Sequence, residues 1–475
     1  MAATITNALK NFILDEIKKT KDSSSNPSKF YAAIGRSQNW DSADTVPDPQ
    51  LSLKQERDFR NNMQAVRLIS DASFVVPRYN WSSGTFYDAY DDTTVGNSSA
   101  YYVVNSNQQV YMVLRKSIND SGTAVASTVE PTGNTTGTPF KTSDGYVWKM
   151  VYSIGSASAN KFQSANFIPV QLINNGNVIS VGDSSNFSTQ EIEQSVIQNN
   201  AIDGQIVGYA VDNPGAGYSS APTITITGNG SSASATATIS GGEVVKVIPA
   251  EDGSGNFDSA NFGSGYRYAA VSVSGGSPTT AAIVRPILAK TGGIGANAIE
   301  DLKSNALMFN SKPVGAEGND FGVGIQFRQV GLLKDPDSNG GASPLISTTG
   351  QALKRLSFSA ITTAFEKGKT LLGGTSGAKA IADYDSGAGS STIVYYHQND
   401  STGFASFSAG ETVTTTEGAA VGDGVLKGAG LIDSSGNDFG RDVDPYSGEL
   451  LYIDNRSAVT RAADQTEDLK IVIQV

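Results

Sequence analysis

The chain contains one histidine, His397, and that residue limits the acid–base chemistry available to it. A Ser-His-Asp triad needs an imidazole as its general base, so any such triad in this chain must use His397. The residue lies in the run Tyr-Tyr-His-Gln-Asn-Asp, directly after a predicted strand. We expect a solvated turn histidine there rather than a catalytic base.

Two further runs match ligand-binding signatures only in part. Residues 293–298 fit the dinucleotide pattern G-x-G-x-x-A, but Pro286 lies in the preceding run and no alternation of strands and helices surrounds them. Residues 335–340 begin like a calcium loop, yet Ile346 stands at the twelfth position, where a glutamate is required. We therefore expect no nucleotide or metal cofactor, and a polar turn at 335–340.

The remaining polar residues define no reaction. The 46 acidic side chains are scattered, and sequence does not give the carboxylate separations on which glycoside hydrolysis depends. The chain has no cysteine, which excludes disulfides, thiolate nucleophiles and Cys-ligated zinc. We therefore expect a protein that is not an enzyme.

The composition indicates many short strands joined by tight turns. Of 475 residues, 51 are glycine and 17% are charged, while Ser, Thr, Asn and Asp crowd between short apolar runs. A chain of this length exceeds what one hydrophobic core usually serves, so about two to four folding units are expected.

Charge and hydropathy disfavour two classes of partner. The net charge is −12, and no stretch gathers lysine and arginine densely enough to follow a phosphate backbone. No segment approaches the roughly 18 apolar residues of a membrane span, and the N-terminus carries no recognisable export signal. We expect a soluble protein, assembled in the cytoplasm, that binds neither nucleic acid nor membrane.

Periodicity predicts the elements that must position these residues. Apolar residues at helical spacing predict an amphipathic helix over 4–19, which needs a surface to dock on, and a weaker pattern predicts a second helix over 51–70. The first predicted strand starts at 30–34, and alternating apolar residues predict strands at 144–154 and 469–475, each with one buried face.

Two internal repeats indicate inserted β modules. Gly-Ala-Gly-Tyr at 215–218 returns as Gly-Ser-Gly-Tyr at 263–266, and each copy leads into a strand. The run at 365–372 returns with the same apolar positions at 407–414.

We predict a mainly β protein, a layered antiparallel β-sandwich core with a few helices and two inserted small β modules. The predicted map is an N-terminal amphipathic helix (1–22), the first part of the core (23–202), the first inserted module (203–287), the second part of the core (288–364), the second inserted module (365–430) and the C-terminal core strands (431–475).

Candidate interface residues fall into two sets. Aromatic and arginine residues dominate interface hot spots, which singles out Arg36, Trp40, Arg78 and Trp81, whereas Trp148 is expected in the core. The second set lies in a predicted loop between the last two strands and comprises Asn455, Arg456, Arg461, Asp464 and Glu467. The sequence leaves open whether this loop forms a local salt-bridge network or contacts a neighbouring subunit.

Four blocks carry a family resemblance. They are Phe-Tyr-Ala-Ala-Ile-Gly-Arg-Ser-Gln-Asn-Trp at 30–40, Val-Pro-Arg-Tyr-Asn-Trp at 76–81, Asp-Gly-Tyr-Val-Trp at 144–148, and Gly-Glu-Leu-Leu-Tyr-Ile-Asp-Asn-Arg from 448 with Asp-Gln-Thr-Glu ending at 467. With these blocks the chain resembles the baseplate wedge proteins encoded by gene eight of T-even-type contractile-tailed phages. The last block is the most specific, and the similarity covers roughly 1–200, 287–365 and 430–475.

The resemblance implies a layered β-sandwich that forms a homodimer, contacts other baseplate wedge proteins and belongs to the virion's tail baseplate. No catalytic residue is carried over. The segments 203–287 and 365–430 depart from the compact members of the family and resemble β modules in tail proteins of marine myoviruses.

Two other functions stay open. A receptor- or carbohydrate-binding tail appendage is favoured by the repeat modules. A tail-associated glycan hydrolase would need two convergent carboxylates in a cleft.

Overall fold

The fold is that of a computed structural model, and the account below applies to the residues it describes. These are 5–23, 25, 27–95, 100–173, 187–252, 254, 256–313, 322–339, 343–390, 393–415, 423–426, 441–462, 464–465 and 467–475. Strands account for 40% and helices for 12%, which confirms the predicted mainly β class. Gly340 of the predicted polar turn and the predicted boundary at 430 lie outside the described residues.

Five helices occur in the described ranges. They are α1 (Asn7–Asp22), α2 (Leu53–Asn61), α3 (Ser156–Phe162), α4 (Thr189–Asn199) and α5 (Ala298–Asp301). Helix α1 confirms the helix predicted over 4–19, although Phe12 on its apolar face is 59% exposed. Helix α2 ends well before residue 70, because a strand begins at Met63.

Twenty-eight strands occur in the same ranges. The first sixteen are β1 (Phe30–Gly35), β2 (Met63–Leu68), β3 (Asp71–Pro77), β4 (Tyr102–Val104), β5 (Gln109–Arg115), β6 (Phe140–Lys141), β7 (Val147–Ser153), β8 (Phe167–Val170), β9 (Ile206–Asn213), β10 (Thr223–Gly228), β11 (Ser231–Ala233), β12 (Ala235–Ser240), β13 (Glu243–Pro249), β14 (Phe262–Ser264), β15 (Ala269–Ser274) and β16 (Ile283–Leu288). The others are β17 (Ala306–Ser311), β18 (Gln326–Lys334), β19 (Thr349–Gln351), β20 (Lys354–Thr363), β21 (Thr370–Gly373), β22 (Lys379–Ala382), β23 (Gly389–Ser390), β24 (Ile393–His397), β25 (Thr412–Thr415), β26 (Asp423–Leu426), β27 (Glu449–Thr460) and β28 (Leu469–Gln474).

The chain divides into two compact units. The first unit comprises Met1–Leu14, Ser73–Leu307 and Gln474–Val475, and the second comprises Asp15–Ala72 and Met308–Ile473. The first inserted module falls in the first unit and the second inserted module in the second unit. The five boundaries between the six predicted segments stay a prediction.

A four-stranded antiparallel sheet in the first unit, in the order β4-β5-β7-β6, carries an aromatic core. Tyr146, Trp148 and Met150 belong to one apolar cluster, so the predicted period-two face is core. Trp148 is fully buried and stacks on Tyr146 with ring centroids 5.5 Å apart, which confirms its predicted core position. Every residue of β7 is buried, because both faces of this central strand are covered.

Strands β9 to β16 pair among themselves as β9 with β16, β10 with β15, β11 with β14 and β12 with β13. Strands β10 and β15, which follow the two copies of the first repeat, are antiparallel partners. In both copies the two glycines have φ between 62° and 78°, and the tyrosines Tyr218 and Tyr266 are both 5% exposed. The glycine turn and the strand that follows it therefore recur in both copies, although Gly263 and Ser264 of the second copy also belong to β14.

A five-stranded sheet in the second unit has the order β19-β2-β1-β18-β27. All six residues of β1 are buried. Phe59 of α2 packs so closely on this sheet that a Cβ added to Gly331 would lie 2.4 Å from the Phe59 Cζ atom. Because β1 and β27 both flank β18, the sequence blocks at 30–40 and 448–456 become spatial neighbours.

The second unit also contains a closed six-stranded antiparallel barrel in the order β20-β24-β22-β21-β25-β26. Strand β20 closes it, pairing first with β24 and then with β26. The copies of the second repeat pair as β21 with β25, and Phe365 and Phe407 share one apolar core. Strand β20 begins at Lys354, upstream of the predicted start of the second inserted module.

The last two strands do not pair with each other. Strand β27 is an edge of the five-stranded sheet, whereas β28 lies beside β17 in another sheet. Ile471 is 4% exposed, but Val475 is 39% exposed. The predicted C-terminal core strands therefore do not lie side by side, because each occupies the edge of a different sheet.

Candidate interaction surface

A buried arginine organises the loop after β1. Arg328 on β18 is 3% exposed, and its Nε donates to Asp44 Oδ1 and Oδ2 at 2.9 and 3.0 Å. Its Nη1 donates to the Ser37 carbonyl and its Nη2 to Asn39 Oδ1, each at 2.6 Å. The hydrogen bond from Arg328 lowers the pKa of Asp44 below its ordinary value. One guanidinium thus fixes three points of the loop.

Arg36 and Trp40, both predicted interface residues, stack on each other in this loop. The Arg36 guanidinium carbon lies 4.2 Å from the Trp40 ring centroid, within the range of a cation–π interaction. Arg36 has a φ of 66°, which is uncommon for a residue other than glycine. Burial lowers the pKa of the Arg36 guanidinium, and Trp40 is half-buried.

Asn455 and Arg456 lie beside this stack, on strand β27. Trp40 Nε1 donates to the Arg456 carbonyl at 3.0 Å, and Asn455 Nδ2 donates to the Pro47 carbonyl at 3.0 Å. The Arg456 side chain is exposed, and its Nε lies 3.2 Å from Asp454 Oδ2. The prediction that Asn455 and Arg456 lie in a loop is wrong, because β27 continues through them as the partner of β18.

Arg461 and Glu467 form a local ion pair. Arg461 Nε lies 2.6 Å from Glu467 Oε2, and these side chains are 2% and 16% exposed. Arg461 Nη1 also donates to the Gly322 carbonyl at 2.9 Å. Of the two alternatives for this segment, the local network holds for Arg461 and Glu467, whereas Asp464 is exposed in a turn.

Arg78 and Trp81 belong to the first unit. Arg78 Nε donates to Asn80 Oδ1 at 2.9 Å, and Trp81 Nε1 donates to Ser127 Oγ at 3.1 Å. Trp81 packs against the core cluster of Trp148.

Within the second unit, the structure brings together Arg36, Trp40, Asn455 and Arg456, and we name these four residues the Arg36–Arg456 cluster. Sequence reasoning missed Arg328, which is one arginine among many until the strand order is known.

His397 is not a solvated turn residue, so that prediction is wrong. It is the last residue of β24 and is 2% exposed. Its Nδ1 lies 2.7 Å from Asp383 Oδ2, and Asp383 Oδ1 accepts a hydrogen bond of 2.8 Å from Gln64 Nε2 on β2. The reason is packing, since this end of the barrel is buried against β2. The carboxylate orients the imidazole as in a catalytic triad, but His397 Nε2 has no hydrogen-bond partner in the described part of the chain.

In the glycine run at 293–298, a backbone amide is bound by a side chain of the chain itself. Helix α5 has four residues, and the amide of Gly295 donates to Asp301 Oδ2 at 2.7 Å. Asp301 is 2% exposed, and burial raises the pKa of its carboxyl to about 7. Lys149 is also 2% exposed, and burial lowers its pKa to about 8.

The Asp335 run forms a polar turn in its described part. Asp335 Oδ1 accepts a hydrogen bond of 2.7 Å from the Lys29 amide. Within the ranges given above, no group of three or more histidine and acidic side chains is placed to hold a metal ion. Over the same residues, no helix is long and apolar enough to cross a membrane.

Comparison of the chain with protein-family models finds no match, and comparison with curated proteins finds none either. The likeness to baseplate wedge proteins therefore depends on the four sequence blocks alone.

Proposed function

We propose that this chain is a structural, non-catalytic subunit of a phage contractile-tail baseplate wedge, where it joins neighbouring wedge proteins as a homodimer. In this role it is assembled in the host cytoplasm and becomes part of the virion. The observation that carries the proposal is the contact between the first and last sequence blocks. Trp40 Nε1 and the Arg456 carbonyl, 416 residues apart, are joined by a hydrogen bond of 3.0 Å.

The Arg36–Arg456 cluster has the chemistry of a protein contact surface. It combines a tryptophan and two arginines, residue types that are enriched at binding hot spots. The loop that carries it is fixed by Arg328, so binding would cost little additional ordering of this loop. In contrast, His397 is 2% exposed and held by Asp383, which leaves it poorly placed to meet a substrate.

Wedge reconstitution tests the proposal. The chain is co-expressed with the other wedge proteins of the phage that encodes it, and the purified wedges are examined for its presence. Wild type is expected to enter the wedge, and Arg456→Ala is expected to enter less while keeping its melting temperature. A matched control is Arg267→Ala, which removes an exposed arginine paired with Asp203 in the first unit at 2.6 Å. Absence of the wild-type chain from the wedge would contradict the proposal.

The alternative, a receptor- or carbohydrate-binding appendage, would place the contact on strands β9 to β16. Tyr268 in this region is 68% exposed, and an exposed tyrosine ring offers an apolar face with a polar tip. Glycan-array binding by the full chain that is lost in Tyr268→Ala would favour this alternative over the wedge.

A further inference from the structure

An exposed apolar strip precedes and begins helix α2. Leu51 is 109% exposed and Leu53 is 75% exposed, although both are large aliphatic side chains. Leu53 is the first residue of α2, and Arg57 lies one turn further along the same face of the helix. Tyr446, which is 52% exposed, extends this face because its hydroxyl donates to Asn61 Oδ1 at 2.8 Å.

The strip is held in a fixed shape. At its start the Pro47 carbonyl accepts the hydrogen bond from Asn455, and Pro47 and Pro49 restrict the backbone between them. Between the two leucines the Ser52 hydroxyl caps α2 by accepting a hydrogen bond of 3.2 Å from the Gln55 amide. The leucines are therefore presented to solvent by a restrained backbone.

Two unpaired charges of opposite sign bracket the leucines. The other charged residues of α2 pair within the helix, Lys54 with Asp58 at 2.7 Å and Glu56 with Arg60 at 3.0 Å. Asp48 and Arg57 are both exposed, and neither forms an ion pair within the described ranges. The order along the strip is therefore acid, leucine, leucine, arginine.

This order is self-complementary under a two-fold rotation. In an isologous contact residue i of one copy meets residue j of the other, and j meets i. If Leu51 and Leu53 of one copy meet Leu53 and Leu51 of the other, Asp48 of each copy faces Arg57 of the other. The central contact then removes four leucine side chains from water, and both charges gain a partner.

We propose that residues 48–57 form a self-complementary strip through which two copies of this chain pair. The proposal rests on the homodimer proposed above and assigns the contact that forms it. Tyr446 lies next to the strip through its hydrogen bond to Asn61, and tyrosine is enriched at binding hot spots.

Charge reversal tests the strip, using sedimentation velocity of the full 49.5 kDa chain over a wide concentration series. Asp48→Arg places two arginines against each other, and Arg57→Asp places two aspartates against each other. Each variant alone is expected to weaken dimerisation by on the order of tenfold or more. An equimolar mixture of the two variants is expected to recover dimers, since both contacts between unlike copies then pair opposite charges.

The possible results distinguish failure of the proposed dimer contact from failure of the proposed wedge function. A wild-type chain that stays monomeric throughout the series overturns the strip and the homodimer together, whereas wedge incorporation is measured independently. Wild-type dimers that persist unchanged in both charge variants and in Leu51→Ser with Leu53→Ser overturn the strip and leave the homodimer intact. Melting temperatures near wild type in each variant establish that loss of dimers is not loss of folding.

Discussion

The indole Nε1 of Trp40 donates a hydrogen bond to the backbone carbonyl of Arg456, 3.0 Å away, across the junction of the loop after β1 and edge strand β27. Neither residue alone fixes this contact. Trp40 is held by its amide, which donates to Asp44 Oδ1 at 2.9 Å, and Asp44 is held by Arg328. The Arg36–Arg456 cluster therefore depends on a buried arginine that it does not include.

Arg328→Ala is expected to destabilise the second unit and loosen the Trp40 loop. The change leaves Asp44 without its arginine partner and removes hydrogen bonds to the loop, which should lower the free energy of unfolding by about 2–4 kcal/mol. Chemical denaturation with tryptophan fluorescence measures both effects. Arg456→Ala is the control, because its exposed ion pair should contribute less than about 1 kcal/mol. Equal losses in the two variants would show that Arg328 does not organise the loop.

The buried residues Asp301 and Lys149 should together contribute a minimum near neutrality to the pH dependence of stability. Burial raises the pKa of Asp301 from 3.8 to about 7, so between these values the folded chain binds more protons and the free energy of unfolding falls as pH rises. Burial lowers the pKa of Lys149 from 10.5 to about 8, so between these values the unfolded chain binds more protons and stability rises again with pH.

Asp301→Asn is expected to remove the fall in the free energy of unfolding between about pH 4 and 7, which is on the order of 2–4 kcal/mol. Lys149→Met is expected to remove the rise in the free energy of unfolding above about pH 8. Urea midpoints measured across pH test this. The asparagine oxygen still accepts the Gly295 hydrogen bond, so the variant isolates the charge. Parallel profiles for wild type and Asp301→Asn would contradict the assignment.

Two adjacent glycines test the packing of the first repeat. Gly275 and Gly276 both have left-handed φ, at 78° and 74°. A Cβ at Gly276 would lie 2.5 Å from the Ser220 carbonyl oxygen and 2.7 Å from Tyr218 Cδ1, whereas a Cβ at Gly275 meets nothing within 4 Å. Gly275→Ala should cost only the backbone strain, about 1 kcal/mol, and Gly276→Ala should cost clearly more. Similar melting temperatures for the two variants would exclude the close Tyr218 contact.

The buried Asp383 should be needed for the attachment of the barrel to the five-stranded sheet. Asp383→Ala leaves His397 Nδ1 and Gln64 Nε2 without their shared acceptor, at a cost of about 2–4 kcal/mol. Asp385→Ala is the matched control, since that side chain is 62% exposed and lies 3.6 Å from Lys367. Denaturant midpoints that fall equally in both variants would contradict a structural role for the contact between Asp383 and His397.

Sequence periodicity was sufficient for elements whose apolar pattern is local. The helix over 4–19, the strand at Phe30 and the core face of Trp148 all follow from residue spacing, and the repeats predicted the matched glycine turns. The helix predicted over 51–70 is too long, because Met63, Val66 and Ile69 match helical spacing although strand β2 begins at Met63.

For the candidate surface, the sequence predicts the residues but not their contact with each other. The sequence singles out Trp40 and Arg456 by residue type, but their contact depends on β18 lying between β1 and β27, which is a long-range pairing. The same limit explains His397, whose burial depends on β2 packing against the end of a barrel that closes through β20. Burial of a polar side chain follows from partners that are remote in sequence, here Gln64 and Asp383.

A cryo-EM map of the assembled baseplate, from the phage that encodes this chain, tests the proposed wedge role most directly. The account predicts density for the chain within each wedge, with the Arg36–Arg456 cluster against a neighbouring wedge protein. A map that resolves every wedge subunit and contains this chain only in a peripheral fibre, or not at all, would contradict it.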